Sequence, residues 1–125
     1  MEVLRNRAAE ALASESTATL STNGPGGLQV GIFPCEAQGL TLYLLIPSAS
    51  DVLFNLETEN GVVVTARRWQ IEGVAEIVPP AQSPDNLQLI HMAEAAGCVL
   101  LAATAHRIHL KWTDGWGYSE TLDQY

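Results

Sequence analysis

A ten-residue alternation, from Trp69 to Val78, limits this chain more than any other feature. Trp69, Ile71, Gly73, Ala75 and Ile77 point one way, and Gln70, Glu72, Val74, Glu76 and Val78 the other. A period of two over this length predicts a strand with one face in a core and the other partly wet. Just before it, 61–66 is a run of Val and Thr with small flanks, which predicts a strand buried on both faces. Arg67-Arg68 is the corner between the two, so 60–78 reads as a central antiparallel pair. Gly73 falls inside the second strand, where glycine marks a bulge, a bend or a close backbone approach. A small barrel needs a curved strand of this kind.

The rest of the chain supplies partners for that pair. Residues 2–13 predict a short amphipathic helix carrying Val3, Leu4, Ala8, Ala11 and Leu12. Strands follow at 17–22, at 28–33 with Pro34 as its stop, and at 40–46. The Asn23-Gly-Pro-Gly-Gly27 cluster joins the first two as a flexible hairpin tip. As a phosphate cradle it lacks the spaced glycines, the lysine and the following helix. Ser48 or Ser50 caps a short helix over 51–57, and Asp51 suits its positive start. Pro79-Pro80 ends the alternating strand. Ser83-Pro84 opens a helix predicted over 84–96, closed by Gly97. Residues 98–103 are apolar without a clear period. Strands at 104–113 and 116–122 form a closing hairpin around Asp114-Gly115. Hairpins with helices tucked between them predict a mainly β, antiparallel barrel with flanking helices, in one domain spanning 1–125.

Composition narrows the function. Six basic against fourteen acidic residues give a net charge of −8, which argues against nucleic acid and anionic membrane surfaces. The low share of charged residues, 16%, leaves surface for a partner, and a homodimer is the simplest. Cys35 and Cys98 form no metal pattern and read as free buried thiols. The N-terminus lacks the apolar stretch of a signal peptide, and no run reaches the ~20 residues of a membrane span. A cytoplasmic location is expected.

Three stretches, in order, resemble a known family. The first helix leads into ATLSTNGPGGLQV. LTLYLLIPSASDVLFNLETEN holds a strand, a Ser-bearing helix start, Asn-Leu and an Asn before the next strand. VVVTARRWQIEGVAEIV ends in Gly-x-Ala-Glu, here Gly73, Ala75 and Glu76. On these residues the chain resembles the pyridoxamine 5′-phosphate oxidase-like, FMN-binding split barrels, most closely over 8–78. The resemblance implies a split β-barrel homodimer with FMN in two grooves at the subunit interface. It implies cofactor contacts at Ser48 and Ser50, at Arg67 on the phosphate, at Arg68 near the ring edge and at Trp116 near the ring. It also shows departures. The family arginine that opens strand two falls near Leu28, and its lysine falls at Val52 or, on a looser alignment, Ser50.

Each candidate also has a plainer reading. Arg67-Arg68 can be an exposed corner that blunts a sheet edge. Ser48 and Ser50 can be helix caps. Trp69 suits core or dimer packing, and Trp112 and Trp116 suit packing or stacking on a planar cofactor. His91 reads as a surface or boundary residue. His106 and His109 fall on opposite faces of a regular strand and share one only if the strand is bulged. No acid–base pair or nucleophile triad stands out, so any catalysis belongs to a cofactor. Two functions remain: a flavin-dependent oxidoreductase of undefined substrate, or a binding or regulatory dimer that has lost the flavin. A deazaflavin- or haem-dependent relative is a third class.

Overall fold

A computed structural model of the chain describes residues 2–84, 86–91, 97–112 and 115–121. Helix α1 is Glu2–Ala13 and α2 is Asp51–Leu56. The strands are β1 Thr17–Thr22, β2 Gln29–Gln38, β3 Thr41–Pro47, β4 Gly61–Thr65, β5 Trp69–Val78, β6 Cys98–Trp112 and β7 Gly115–Thr121. All pairings are antiparallel. The order β3-β2-β1-β4-β5-β6-β7 closes through β3–β6, so six strands form a barrel and β7 extends it. This is the split barrel expected from the sequence, with β4 and β5 at the centre of the order.

Two strands change partners, and that produces the split. One edge of β6 runs along β5, while its other edge pairs first with β3 and then with β7. Strand β2 pairs with β1 through Pro34 and with β3 from Cys35 onward. Pro34 therefore does not stop β2, as its missing N–H suggested. It sits at the changeover between ladders. Helix α1 packs against both β2 and β6 and sends Ala8 and Leu12 into the main core.

That core collects the inward residues of every barrel strand from β1 to β6, among them Leu20, Phe33, Leu44, Val64, Trp69, Ile71, Leu101 and Ile108. Trp69 is fully buried there, as its packing role predicted, and its indole N–H has no partner among the described residues. In β4 only Val62 and Val64 are buried, while Gly61, Val63 and Thr65 are half-exposed, so the strand is covered on one face rather than two. In β5, Ile77 shares the inward face of Trp69, Ile71 and Ala75 but lies beyond the core and is 50% exposed.

The alternation of β5 is matched by a bulge in β6. Glu72 pairs with Arg107 and Gly73 with Ala105, which leaves His106 as the extra residue. Gly73 thus marks a bulge, on the facing strand. The apolar run 98–103 is part of β6. It lacks a period because both faces are covered: Leu101 enters the main core, and Leu100 joins a second cluster with Leu45, Leu87 and Leu89.

Within the described residues, the helix predicted over 84–96 is replaced by a short 3₁₀ turn at Leu89–His91, and another 3₁₀ turn, Pro80–Gln82, precedes the segment. A distant strand decides this. The Glu36 carboxylate of β2 accepts the Leu89 N–H at 2.9 Å, and Gln38 Nε2 donates to Asn86 Oδ1 at 2.7 Å. Residues 92–96 lie outside the described residues.

The glycine-rich hairpin is pinned rather than loose. Asn55 of α2 is fully buried beneath it. Its Oδ1 accepts the Gly26 N–H (2.9 Å), and its Nδ2 donates to the Gly27 carbonyl (2.9 Å) and to Thr22 Oγ1 (3.1 Å).

Candidate functional site

The outward side chains of the sheet lie in register. One row runs Ile32, Thr19, Thr65, Gln70, His109, and the next runs Val30, Ser21, Val63, Glu72, Arg107. The face is therefore graded across its strands. The β2 side is apolar, with Leu28, Val30 and Ile32 exposed by 70%, 57% and 73%. Hydroxyls line the middle, on β1 and β4. The β5–β6 side is ionic: His109 Nε2 and Glu72 Oε2 are 2.9 Å apart, and the Thr65 hydroxyl donates to Gln70 Oε1 at 3.3 Å. The bulge adds His106 beside Arg107. Both are exposed between the buried Ala105 and Ile108, so His106 and His109 share this face. Among the described residues, no three His, Cys, Asp or Glu side chains gather closely enough to hold a metal ion.

Arg67 and Arg68 form the bend between β4 and β5, closed by the Ala66 N–H on the Trp69 carbonyl at 2.8 Å. Both are exposed. They lie at the end of the sheet where Trp69 pairs with Leu110. Trp116 pairs with Lys111 at that same end, two strands from the bend, and its side chain lies outside the described residues, as does that of Trp112.

Ser48 and Ser50 belong to the opposite end, where Pro47 pairs with Cys98. From Cys98 to Leu110 the contour of β6 is about 40 Å at ~3.3 Å per residue. The serines and the arginines therefore lie toward opposite ends of β6. Their hydroxyls also differ. Ser48 Oγ donates to the Gly97 carbonyl at 2.7 Å, which uses its only proton and leaves lone pairs. Ser50 is the N-cap of α2: its oxygen accepts the Val52 N–H at 3.4 Å, which does not use its proton. The capping reading therefore holds for Ser50, whereas Ser48 ties β3 to the start of β6.

A phosphate dianion needs donors. Arg67 and Arg68 supply two adjacent guanidinium groups at the rim of the graded face, and Ser50 keeps one hydroxyl proton. The apolar strip of β2 beside the hydroxyls of β1 suits a flat ring with polar edges. The residues of this face fit a flavin mononucleotide with its phosphate at the bend. They do not fit one held at Leu28 or through Ser48.

The two thiols differ in environment. Cys35 is buried, with Sγ donating to the Glu15 carbonyl at 3.6 Å. Burial, helped by the charge of Glu15, pushes its thiol up to about 12. Only the thiolate is a strong nucleophile. In native protein at pH 8, Cys35 should react with iodoacetamide at least ~100-fold more slowly than a free thiol, and at the ordinary rate once unfolded. Peptide mass mapping reads this directly, and rapid native labelling of Cys35 would contradict the burial described.

No family model matches the sequence, and no curated protein matches it significantly. Its fold has solved counterparts. A Clostridium acetobutylicum protein related to general stress protein 26 of Bacillus subtilis, of the pyridoxinephosphate oxidase family, superposes with a TM-score of 0.71 at 14% identity, over 98% of this chain and 96% of its own. An FAD-binding protein of Mesorhizobium loti gives 0.64 at 13% identity, over 82% and 90%. The haem storage protein HutZ of Vibrio cholerae gives 0.59 at 18% identity, over 86% and 94%. The chain has the fold of the pyridoxamine 5′-phosphate oxidase-like split barrels, as the resemblance implied.

Proposed function

We propose that this protein is a flavin-binding homodimer, with FMN as the ligand, seated where the graded outer faces of two subunits meet. The observation that carries this reading is the juxtaposition on one face of an exposed apolar strip, Leu28, Val30 and Ile32, with a paired-arginine rim. Monomers seldom expose so continuous an apolar strip without a partner.

In this reading Arg67 neutralises the phosphate and Arg68 stands near the ring edge. Thr19, Ser21 and Thr65 offer hydroxyls to the polar rim of the ring, and the β2 strip excludes water from its face. Bound FMN supplies hydride or electron transfer. The chain supplies position, a dry surface and a polar border, and the substrate class of the resulting oxidoreductase stays undefined.

The purified protein is expected to be dimeric by sedimentation and to bind FMN, followed by quenching of flavin fluorescence. Each of Arg67→Ala and Arg68→Ala should weaken binding about 10- to 100-fold, the value of a charge-assisted contact. No binding at roughly tens of micromolar FMN would remove the flavin reading. A monomer would remove the seam. A second reading has its own observation: Leu28 stands where the family places an arginine. A dimer that ignores FMN would be a binding or regulatory module for another planar ligand.

A further inference from the structure

Leu45, Leu100 and Val78 form a cross-strand row on the outer side of β3, β6 and β5, at the end of the barrel away from the Arg67-Arg68 bend. The connection between β5 and β6 covers this row. The cover is fixed along one side, where Glu36 and Gln38 hold it and Leu87 and Leu89 are buried. On its other side it leaves a cavity of about 290 Å³, walled by the row itself, by Pro79 and Ile90 of the cover, and by Cys98.

We propose that this cavity is a binding site for a small, uncharged, apolar molecule: a one- or two-ring aromatic or a short hydrocarbon chain. The volume is roughly twice that of the ~150 Å³ apolar cavity that accepts benzene. Among the described residues no lining side chain is charged, and the Ser83 hydroxyl and Cys98 thiol are the only polar side-chain groups in the wall. A carboxylate or phosphate entering here meets no counter-charge and loses its hydration. The net charge of −8 opposes anions further. Ile77, half-exposed at the rim, gives the mouth an apolar lip. The site lies apart from the graded face and does not depend on the flavin reading.

The test uses the full chain and the uncharged dye N-phenyl-1-naphthylamine. Saturable fluorescence enhancement with a dissociation constant on the order of micromolar is expected. Saturating dye should slow iodoacetamide alkylation of Cys98 at least about ten-fold, and the anionic 1-naphthoate should bind at least about ten-fold more weakly than the dye. Ile90→Trp, which fills the cavity from the cover, should weaken the dye by a similar factor. The Cys98 protection needs no variant, so a folding defect in Ile90→Trp leaves the test intact. Dye binding without Cys98 protection would place the dye elsewhere, on the exposed β2 strip for instance, and overturn the proposal. Absence of saturable binding, or equal affinity for 1-naphthoate, would overturn it too.

Discussion

Gly73→Ala is expected to destabilise the protein by at least about 3 kcal/mol, a large share of the ~5–15 kcal/mol that holds a domain folded. A Cβ at position 73 would lie 1.9 Å from the Thr104 carbonyl oxygen, 2.9 Å from its carbon and 3.1 Å from the Ala105 Cα. All three are backbone atoms, so no side chain can turn aside. The β6 bulge carries Thr104 and Ala105 over this glycine, and relief requires β6 to lift from β5. Gly61→Ala is the control. It is also in a strand, but its Cβ meets only Glu59 Oε1, at 3.2 Å, on a flexible side chain. Urea unfolding should show Gly61→Ala within about 0.5 kcal/mol of the parent, the usual range for a surface change. If Gly73→Ala also stayed within about 1 kcal/mol, the close approach would not exist as described.

Asn55→Leu should cost about 3 kcal/mol. The leucine keeps the branched shape with methyls in place of the amide, so it removes every polar contact and adds some bulk beneath Gly24 and Gly26. It leaves the Gly26 N–H, the Gly27 carbonyl and the Thr22 hydroxyl without the partner they share, at ~1–3 kcal/mol for the buried Thr22 hydroxyl and less for each of the two part-buried glycine groups. The midpoint of thermal unfolding should fall by roughly 10–15 °C. Asn55→Asp separates hydrogen bonding from shape. Its carboxylate can still accept the Gly26 N–H, but it faces the Gly27 carbonyl without a proton to donate. The folded state then favours the protonated acid and raises its pKa. The deficit of this variant should therefore be small below the unfolded value of ~3.9 and should grow as pH rises through the raised one. A pH-independent deficit would show that the aspartate is not buried against these groups.

Much of the barrel was legible because its strands are half-wet. In β1 and β5 one face meets the core and the other does not, and period two is written in the residues; β4 is covered on one face too, but its Val run hides the period. Where both faces are covered the period vanishes, as in 98–103. The described part of the 84–96 segment, up to His91, misled for another reason. Ser83-Pro84 and Gly97 are sound helix punctuation, but the Glu36 carboxylate, 53 residues before Leu89, claims the backbone first. Local propensity carries no record of such a contact. The site divides in the same way. Two arginines at a corner between two strands could be placed from spacing alone. The engagement of Ser48 with Gly97, 49 residues on, could not. The shared face of His106 and His109 was conditional on a bulge, and Gly73 pointed to the strand pair that has it.

Strand β2 carries apolar side chains toward both sides, Val30 and Ile32 outward and Phe33 and Cys35 inward, with Leu28 exposed just before it, so hydrophobicity alone does not decide which set belongs inside. A slip by one residue would exchange the two sets. The changeover at Pro34 prevents it. Such a slip has to break the ladder to β1 on one edge and the ladder to β3 on the other in the same event, and it moves a residue with no N–H to a new place in both. Double anchoring thus gives unambiguous alignment to the strand whose composition specifies it least.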